Sequence, residues 1–171
     1  MWFLKIIFLD VDGVLNTNRY SKEQIQKNNG RFKFEMIFNF DPRAMENLKE
    51  IVDSTNAYIV ISSTWRLGHD DEEDEYWTNL IKNLKEYDLD KKVIGITPII
   101  PIRCDTEIMQ VTRGDEIMRW LNENSNKKIE KFAIIDDENL IKGPLKNYLV
   151  RCNSYYGITK GTKKKVIDLL S

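Results

Sequence analysis

The chain is poor in the residues that build disulfides and soft metal sites. Its 171 residues include two cysteines, Cys104 and Cys152, and a single histidine, His69. The cysteines are too far apart for the close spacing of a zinc motif, and one histidine cannot supply the remaining ligands. This composition argues against a zinc site and favours a reducing, cytoplasmic setting.

Long apolar runs and a strong net charge are also absent. No apolar stretch approaches the roughly 20 residues that a membrane helix needs, so no membrane partner is expected. The formal net charge of −1 gives no sign of a polyanionic partner. The charge is uneven, however, because residues 70–75 are all acidic, whereas residues 127–171 hold ten Lys or Arg against five Asp or Glu. Solvated surfaces of opposite sign explain this pattern, and a basic rim around Lys160 and residues 163–165 is the alternative.

The apolar residues that are present form short runs separated by turn residues. The first run, in "MWFLKIIFLD", contains Lys5 and lacks a small-residue cleavage site, so it is interpreted as a strand rather than a secretion signal. Segments of helical period separate the runs, and this alternation is typical of a parallel sheet covered on both faces. The predicted strands are 3–9, 58–61, 93–96, 132–135 and 148–150, and the predicted helices are 41–54, 76–87, 114–124 and 162–170.

The predicted fold class is therefore α/β, with one three-layer, Rossmann-like domain over residues 1–171. Residues 17–40 contain the alternating stretch "RFKFEMIFNF" and are predicted to form an inserted hairpin. A second insertion is expected at about 66–112, with a long loop at 97–112 that contains Pro98 and Pro101. Neither insertion is long enough for a large, separately folded cap.

Acidic residues follow two of the predicted strands. Asp10 and Asp12 end the first strand in "FLDVDGVLN", and Asp136 and Asp137 follow a later one in "IIDDE". The carboxyl ends of parallel strands meet at one edge of the sheet, where ligands bind in such folds. Four carboxylates gathered there repel one another unless a cation neutralises them, and hard oxygen ligands suit Mg²⁺.

These motifs, in this order, resemble those of the haloacid dehalogenase (HAD) superfamily of phosphohydrolases. More narrowly, "FLDVDGVLN", "VISSTWR", "VIGITP", "RGDEIMRWL" and "IIDDE" look like the small HAD domains of nucleic-acid end-repair proteins. The resemblance runs from residue 4 to about residue 170. It implies a HAD-like fold with a minimal cap.

The resemblance also implies catalytic roles. Asp10 would be the nucleophile that forms an aspartyl-phosphate, and Asp12 would act as general acid and then general base. Gly13 would let the backbone approach the substrate closely. A serine after the second strand would bind the phosphoryl oxygens, with Ser63 preferred over Ser62.

The basic residue and the metal ligands follow from the same resemblance. Arg113 stands where many family members have a lysine that neutralises phosphate and nucleophile, with Arg66 and Arg103 as rivals. Arg66 could instead bind the substrate phosphate. The metal would be held by Asp10, the carbonyl of Val11, Asp12, Asp136 and Asp137.

The expected function is hydrolysis of a phosphomonoester with Mg²⁺, and the open site favours RNA or DNA ends as substrates. A small-molecule phosphatase and an inactive HAD-fold binding module are the alternatives. The paired Asp10 and Asp12 disfavour the binding module, which has no use for an acid/base. A response-regulator receiver would place its phosphoacceptor on a middle strand, and no G-x-x-x-x-G-K-[ST] loop indicates a kinase.

Overall fold

Five strands form a central, all-parallel sheet in the computed structural model, which describes residues 3–101 and 111–171. Arg103 and Cys104 lie outside the described residues. The spatial order of the strands is β3-β2-β1-β4-β5, and all five predicted strands and the α/β class are confirmed. The strands are β1 (Leu4–Leu9), β2 (Tyr58–Ile61), β3 (Val93–Ile96), β4 (Ile129–Asp136) and β5 (Leu149–Arg151).

Helices connect the strands and cover the sheet. The helices are α1 (Asn18–Lys27), α2 (Pro42–Thr55), α3 (Glu75–Lys85), α4 (Arg113–Glu123) and α5 (Lys160–Leu170). Short 3₁₀ helices occupy Phe34–Phe38, Thr64–Gly68, Asp90–Lys92 and Gly143–Tyr148. The four predicted helices correspond to α2, α3, α4 and α5. None of the helices within the described residues is long and apolar enough to cross a membrane.

The sheet is buried on both faces, which explains the continuous apolar pattern of β1. Ile7 and Leu9 pack in the larger core cluster, to which α2, α3 and α5 contribute. Ile6 and Phe8 point to the other face, where Phe8 meets Trp120 of α4 edge-on at 5.4 Å. Because β1 lies in the middle of the sheet, the residues at its carboxyl end are surrounded by other strands.

The predicted hairpin at residues 17–40 is wrong, because this insertion contains α1 and the Phe34–Phe38 3₁₀ helix. The alternation of phenylalanines reflects burial of Phe38 and exposure of Phe34, not the two faces of a strand. No residue of α1 is buried. A helix without an apolar stripe gives no periodic signal in the sequence, so α1 was not predicted.

Asp41 anchors α1 to the start of α2. Its carboxylate is fully buried and accepts hydrogen bonds from Thr17 Oγ1 at 2.7 Å, Arg19 Nη2 at 3.1 Å and Arg43 Nε at 2.8 Å. Burial alone would raise the pKa of Asp41, but the hydrogen bonds from Arg43, Thr17 and Arg19 outweigh burial and lower it. An ionised Asp41 therefore fixes the first turn of α1 at the edge of the sheet.

We expect Asp41→Asn to lower the free energy of unfolding by about 2 kcal/mol at pH 7, because a buried carboxylate that accepts charge-assisted hydrogen bonds from two partly exposed guanidinium groups becomes a neutral amide. The pKa of Asp41 is lower in the folded state than its usual value of 3.8. The wild type should therefore have the higher free energy of unfolding at pH values above 3.8, and its advantage over the variant should shrink as the pH falls below 3.8. Urea unfolding across this pH range measures the difference. Asp53→Asn, at an exposed position of α2, is the control, and an equal loss there would contradict the account.

Candidate active site

The register of the sheet brings three polar residues side by side. Leu9, the last residue of β1, pairs with the ends of β2 and β4. The backbone ladder continues one residue further, since Asp10 N donates to Ile135 O at 3.0 Å and Ser62 N donates to Leu9 O at 2.9 Å. The residues that follow the three paired positions lie at the same level: Asp10, Ser62 and Asp136.

Arg113 joins two of the buried carboxylates. It is the first residue of α4, whose N-terminus is closed by a capping box between Thr112 and Asp115. Arg113 Nη1 lies 2.8 Å from Asp10 Oδ1 and 2.8 Å from Asp136 Oδ2. Burial would lower the pKa of Arg113, but these two carboxylates raise it, so the guanidinium remains charged. The residue expected to neutralise the nucleophile is therefore in contact with Asp10.

The electrostatic balance of this cluster is incomplete. Burial raises the pKa of Asp10 to about 6 although Arg113 opposes the rise, and it also raises the pKa values of Asp136 and Asp137. Carboxylate oxygens of Asp10, Asp136 and Asp137 lie within 4.8 Å of one another. Three carboxylates face one guanidinium, and a divalent cation would supply the charge that is missing. The oxygen-only donor set fits a hard metal ion.

Asp12 has different surroundings from Asp10. It is exposed, and its carboxylate accepts from Trp65 Nε1 at 3.0 Å and from Asn16 Nδ2 at 2.7 Å. It does not belong to the group of carboxylates that could share a metal ion among the described residues. This placement differs from the predicted ligand set, which included Asp12.

The backbone of the loop after β1 also departs from expectation. The carbonyl of Val11, predicted as a metal ligand, accepts from Val14 N at 3.1 Å and Leu15 N at 2.8 Å. The turn therefore already uses this oxygen. Gly13 has a φ of +69°, and a Cβ there would collide with the side chains of Asp137 and Ser154. Glycine is thus required so that Asp137 can pack against the loop, and a contact with substrate stays a prediction.

The two serine hydroxyls after β2 differ in their hydrogen bonding. Ser63 Oγ accepts from Trp65 N at 3.4 Å and caps the Thr64–Gly68 3₁₀ helix. Ser62 Oγ is buried and has no hydrogen-bond partner among the described residues. Ser62 thus lies level with Asp10 with its hydroxyl unused, whereas the Ser63 hydroxyl caps a helix, and contact of either serine with a phosphoryl group stays a prediction.

The structure does not support Arg66 as a substrate ligand. Arg66 is 3% exposed, and each nitrogen of its guanidinium has a partner within the protein. Nε donates to Thr97 O at 2.9 Å, Nη1 donates to Ser63 O at 2.7 Å and Nη2 pairs with Glu116 at 2.7 Å. Arg66 therefore ties the segment after β2 to β3 and α4, and this part of the prediction is corrected.

Sequence reasoning missed the residues that orient Asp12. Asn16 stands four residues after Asp12, and its Oδ1 accepts from Gly13 N at 3.1 Å. The same side-chain amide therefore binds both the Asp12 carboxylate and the Gly13 backbone. An asparagine that closes a short turn through its side chain is a recognisable local signal. Trp65 lies far from Asp12 in the sequence, so its bond to Asp12 depends on the packing of two separate segments.

Comparison with protein families decides the classification. Residues 6–162 match the model described as "HAD domain in Swiss Army Knife RNA repair proteins". The chain belongs to this family. The expected resemblance is confirmed, and membership of a HAD family supports a hydrolase.

Comparisons with solved structures and with curated proteins give less information about this HAD domain than the family match does. Among solved structures, it is similar to a haloacid dehalogenase-like family hydrolase from Streptococcus pneumoniae at 13% sequence identity and a TM-score of 0.46. That match covers 96% of this chain and 90% of the other. No curated protein matches the sequence.

Removal of the Arg113 charge should expose the repulsion between the buried carboxylates. We expect Arg113→Met to lower the free energy of unfolding by about 3 kcal/mol without added metal, because Asp10 and Asp136 lose their shared cation. Millimolar Mg²⁺ should recover part of that loss, measured by urea unfolding. Arg119→Met, at a half-exposed position of the same helix, is the control and should change stability by less than about 0.5 kcal/mol. Equal losses in both variants would contradict the electrostatic role of Arg113.

Proposed function

We propose that this HAD domain is a Mg²⁺-dependent phosphomonoester hydrolase that acts through an aspartyl-phosphate on Asp10. The observation that carries the proposal is the contrast between two carboxylates in one short loop. Asp10 is buried and held by Arg113, whereas Asp12 is exposed and oriented by Trp65 and Asn16. Two carboxylates in unlike environments suit a nucleophile and a proton carrier.

The proposed reaction has two steps. In the first, a carboxylate oxygen of Asp10 attacks phosphorus, and the bond between phosphorus and the leaving oxygen breaks while Asp12 donates its proton to that oxygen. In the second, water attacks phosphorus and gives a proton to Asp12. The bond between phosphorus and Asp10 then breaks, which releases phosphate and restores both carboxylates to their initial states.

The remaining residues of the site bind the phosphoryl group and the metal. The unpaired Ser62 hydroxyl would donate to a phosphoryl oxygen, and the Arg113 guanidinium would balance the negative charge beside Asp10. Asp10, Asp136 and Asp137 would hold Mg²⁺. When bound, the ion would neutralise charge on the phosphoryl oxygens and reduce their repulsion of the nucleophile.

Substitution of the proposed nucleophile gives a direct test of activity. We expect Asp10→Asn to reduce hydrolysis of an aryl phosphate by about three decades, because the attacking oxygen and one metal charge are lost. Initial rates with Mg²⁺ measure the change. Asp168→Asn, an exposed position of α5, is the control. An Asp10→Asn protein that kept more than about a tenth of the wild-type rate would overturn the mechanism.

We propose phosphorylated RNA ends as the substrates of this site. The family description names RNA repair proteins, and a surface with the corresponding chemistry adjoins the loop after β1. Tyr155 and Tyr156 meet edge-on at 4.9 Å. Lys22 lies 5.1 Å from the ring centre of Tyr155, and Arg19 lies 5.4 Å from that of Tyr156. We call these four residues the tyrosine patch.

The tyrosine patch is connected to the site through the backbone. Asn18 N donates to Ser154 O at 3.0 Å, and Ser154 also packs close to Gly13. Aromatic rings next to cations bind single-stranded nucleic acid through base stacking and phosphate contacts. Of the lysines expected at a basic rim, Lys163 is paired with Glu50. Lys163 is therefore less available to a phosphate than an unpaired lysine would be, and the RNA proposal is argued from the tyrosine patch.

The substrate proposal predicts a preference for longer substrates. A phosphate-ended oligoribonucleotide should have a kcat/KM about tenfold above that of the matching mononucleotide, and added salt should narrow this gap. Lys22→Glu should narrow it as well, because it removes a cation beside Tyr155. Lys27→Glu, at an exposed position of the same helix, is the control with the same charge change. Equal efficiency with both substrates, independent of salt, would favour a small-molecule phosphatase.

A further inference from the structure

A groove of about 340 Å³ opens directly beside Asp12. One wall is α1, and the opposite wall is the Phe34–Phe38 3₁₀ helix with the residue that follows it. The loop after β1, Trp65 and Tyr76 form the rest of the lining. We call it the α1 groove. The side chains that give it its chemistry are Asn18, Ser21, Gln24, Met36, Asn39 and Trp65.

The α1 groove lies where the leaving group of the proposed reaction would be. In the proposed reaction, Asp12 donates its proton to the oxygen that leaves phosphorus, so the rest of the leaving group must lie in a space next to Asp12. A second cavity also adjoins Asp12, but Asp74 lines it and belongs to the acidic stretch 70–75. That stretch would repel a substrate that carries further phosphates. The α1 groove is the more suitable of the two.

The lining of the α1 groove is polar but nearly uncharged. Amide side chains supply donors and acceptors, while Met36, Trp65 and Tyr76 supply apolar surface. Of the described residues that line the groove, only Asp12 is charged. This combination fits a neutral, flat group with hydrogen-bonding edges, as in a nucleoside, and it does not fit a second phosphate.

The two walls of the α1 groove are tied together. Asn39 Nδ2 donates to Gln24 Oε1 at 2.6 Å, and Gln24 Nε2 donates to Met36 O at 3.5 Å. These bonds connect α1 with the 3₁₀ helix across the groove. No residue of α1 is buried in the core, so this contact adds to the N-terminal anchors and to the ion pair between Glu23 and Arg43 in holding the helix in place.

The helix α1 separates two surfaces of different charge. Asn18, Ser21 and Gln24 recur at helical spacing and line the α1 groove. On the other side of the helix, Lys22 lies over Tyr155, and Arg19, which is also paired with Asp41, lies over Tyr156. A terminal nucleoside can therefore occupy a neutral groove while the phosphates of the attached strand lie on the cationic side. This division suits a phosphorylated strand end.

We propose that the α1 groove binds the nucleoside that carries the cleaved phosphate. The inference rests on the proposed phosphatase activity and adds the part of the substrate that the enzyme recognises. The hydroxyl of Ser21 and the amide oxygens of Asn18 and Asn39 would bind the edges of the sugar and base. The apolar surface of Met36 and Trp65 would contact the ring.

The test fills the groove and compares substrates with and without a nucleoside. Adenosine 3′-phosphate, adenosine 5′-phosphate and ribose 5-phosphate are compared with acetyl phosphate, whose leaving group is too small to occupy the groove. For the better adenosine phosphate, Ser21→Phe should lower the ratio of its kcat/KM to that of acetyl phosphate by about tenfold. Gln26→Phe, an exposed position on another side of α1, should leave this ratio unchanged.

A second variant tests the same inference in case Ser21→Phe does not fold. Asn18→Asp keeps the size of an exposed side chain in the lining, and the Ser154 hydroxyl can donate to the new carboxylate. It places a negative charge in the groove, so the same ratio should fall. An unchanged ratio in both groove variants would overturn the inference. Equal kcat/KM for ribose 5-phosphate and the adenosine phosphates in the wild type would overturn the assignment to a nucleoside.

The experiment also separates this inference from the proposed function. If the wild type hydrolyses none of these compounds with Mg²⁺, the proposed phosphatase activity fails. Calorimetric titration with adenosine 3′-phosphate then still tests the groove, because binding should weaken in Ser21→Phe and not in Gln26→Phe. Equal binding by all three proteins would overturn the groove assignment independently of activity.

Discussion

The contact of one guanidinium nitrogen with two buried carboxylates is the interaction on which the site depends. Arg113 Nη1 holds Asp10 and Asp136 together at 2.8 Å from each, at the ends of adjacent central strands. Without this contact two buried negative charges would face each other, which would lower the stability of the folded domain by several kcal/mol. Its geometry follows from the sheet register and from the capped start of α4. Arg113 Nη1 therefore both holds the ends of two central strands together and sets the charge beside Asp10.

The helix α1 contributes more to the candidate site than to the core. α1 has no buried residue, and it is fixed at its start by the fully buried carboxylate of Asp41. This arrangement leaves its side chains free to form the wall of a groove on one side and to meet the tyrosine patch on the other. Asp12, at the mouth of the groove, connects that surface to the reaction proposed at Asp10.

The sequence predicts those features whose signal is local. The strands β1 to β5 were predicted because burial on both faces requires unbroken apolar runs, and α2 to α5 because each buries one apolar stripe. Asp10 and Asp136 were identified because acidic residues stand at the carboxyl ends of predicted strands, whereas Arg113 was assigned from the resemblance to the HAD superfamily. The helix α1 was missed because none of its residues is fully buried, so it has no apolar stripe. The choice between Ser62 and Ser63, and the burial of Arg66, depend on partners from distant segments that no local pattern reveals.

The central claim is that Asp10 becomes covalently phosphorylated. Rapid quenching of the wild-type protein during turnover of acetyl phosphate with Mg²⁺, followed by peptide mass spectrometry, tests this claim most directly. The account predicts a phosphoryl group on the peptide that contains Asp10, and none on that peptide from an Asp10→Asn protein. A phosphoryl group on another residue, or hydrolysis with no phosphorylated peptide at any quench time, would contradict it.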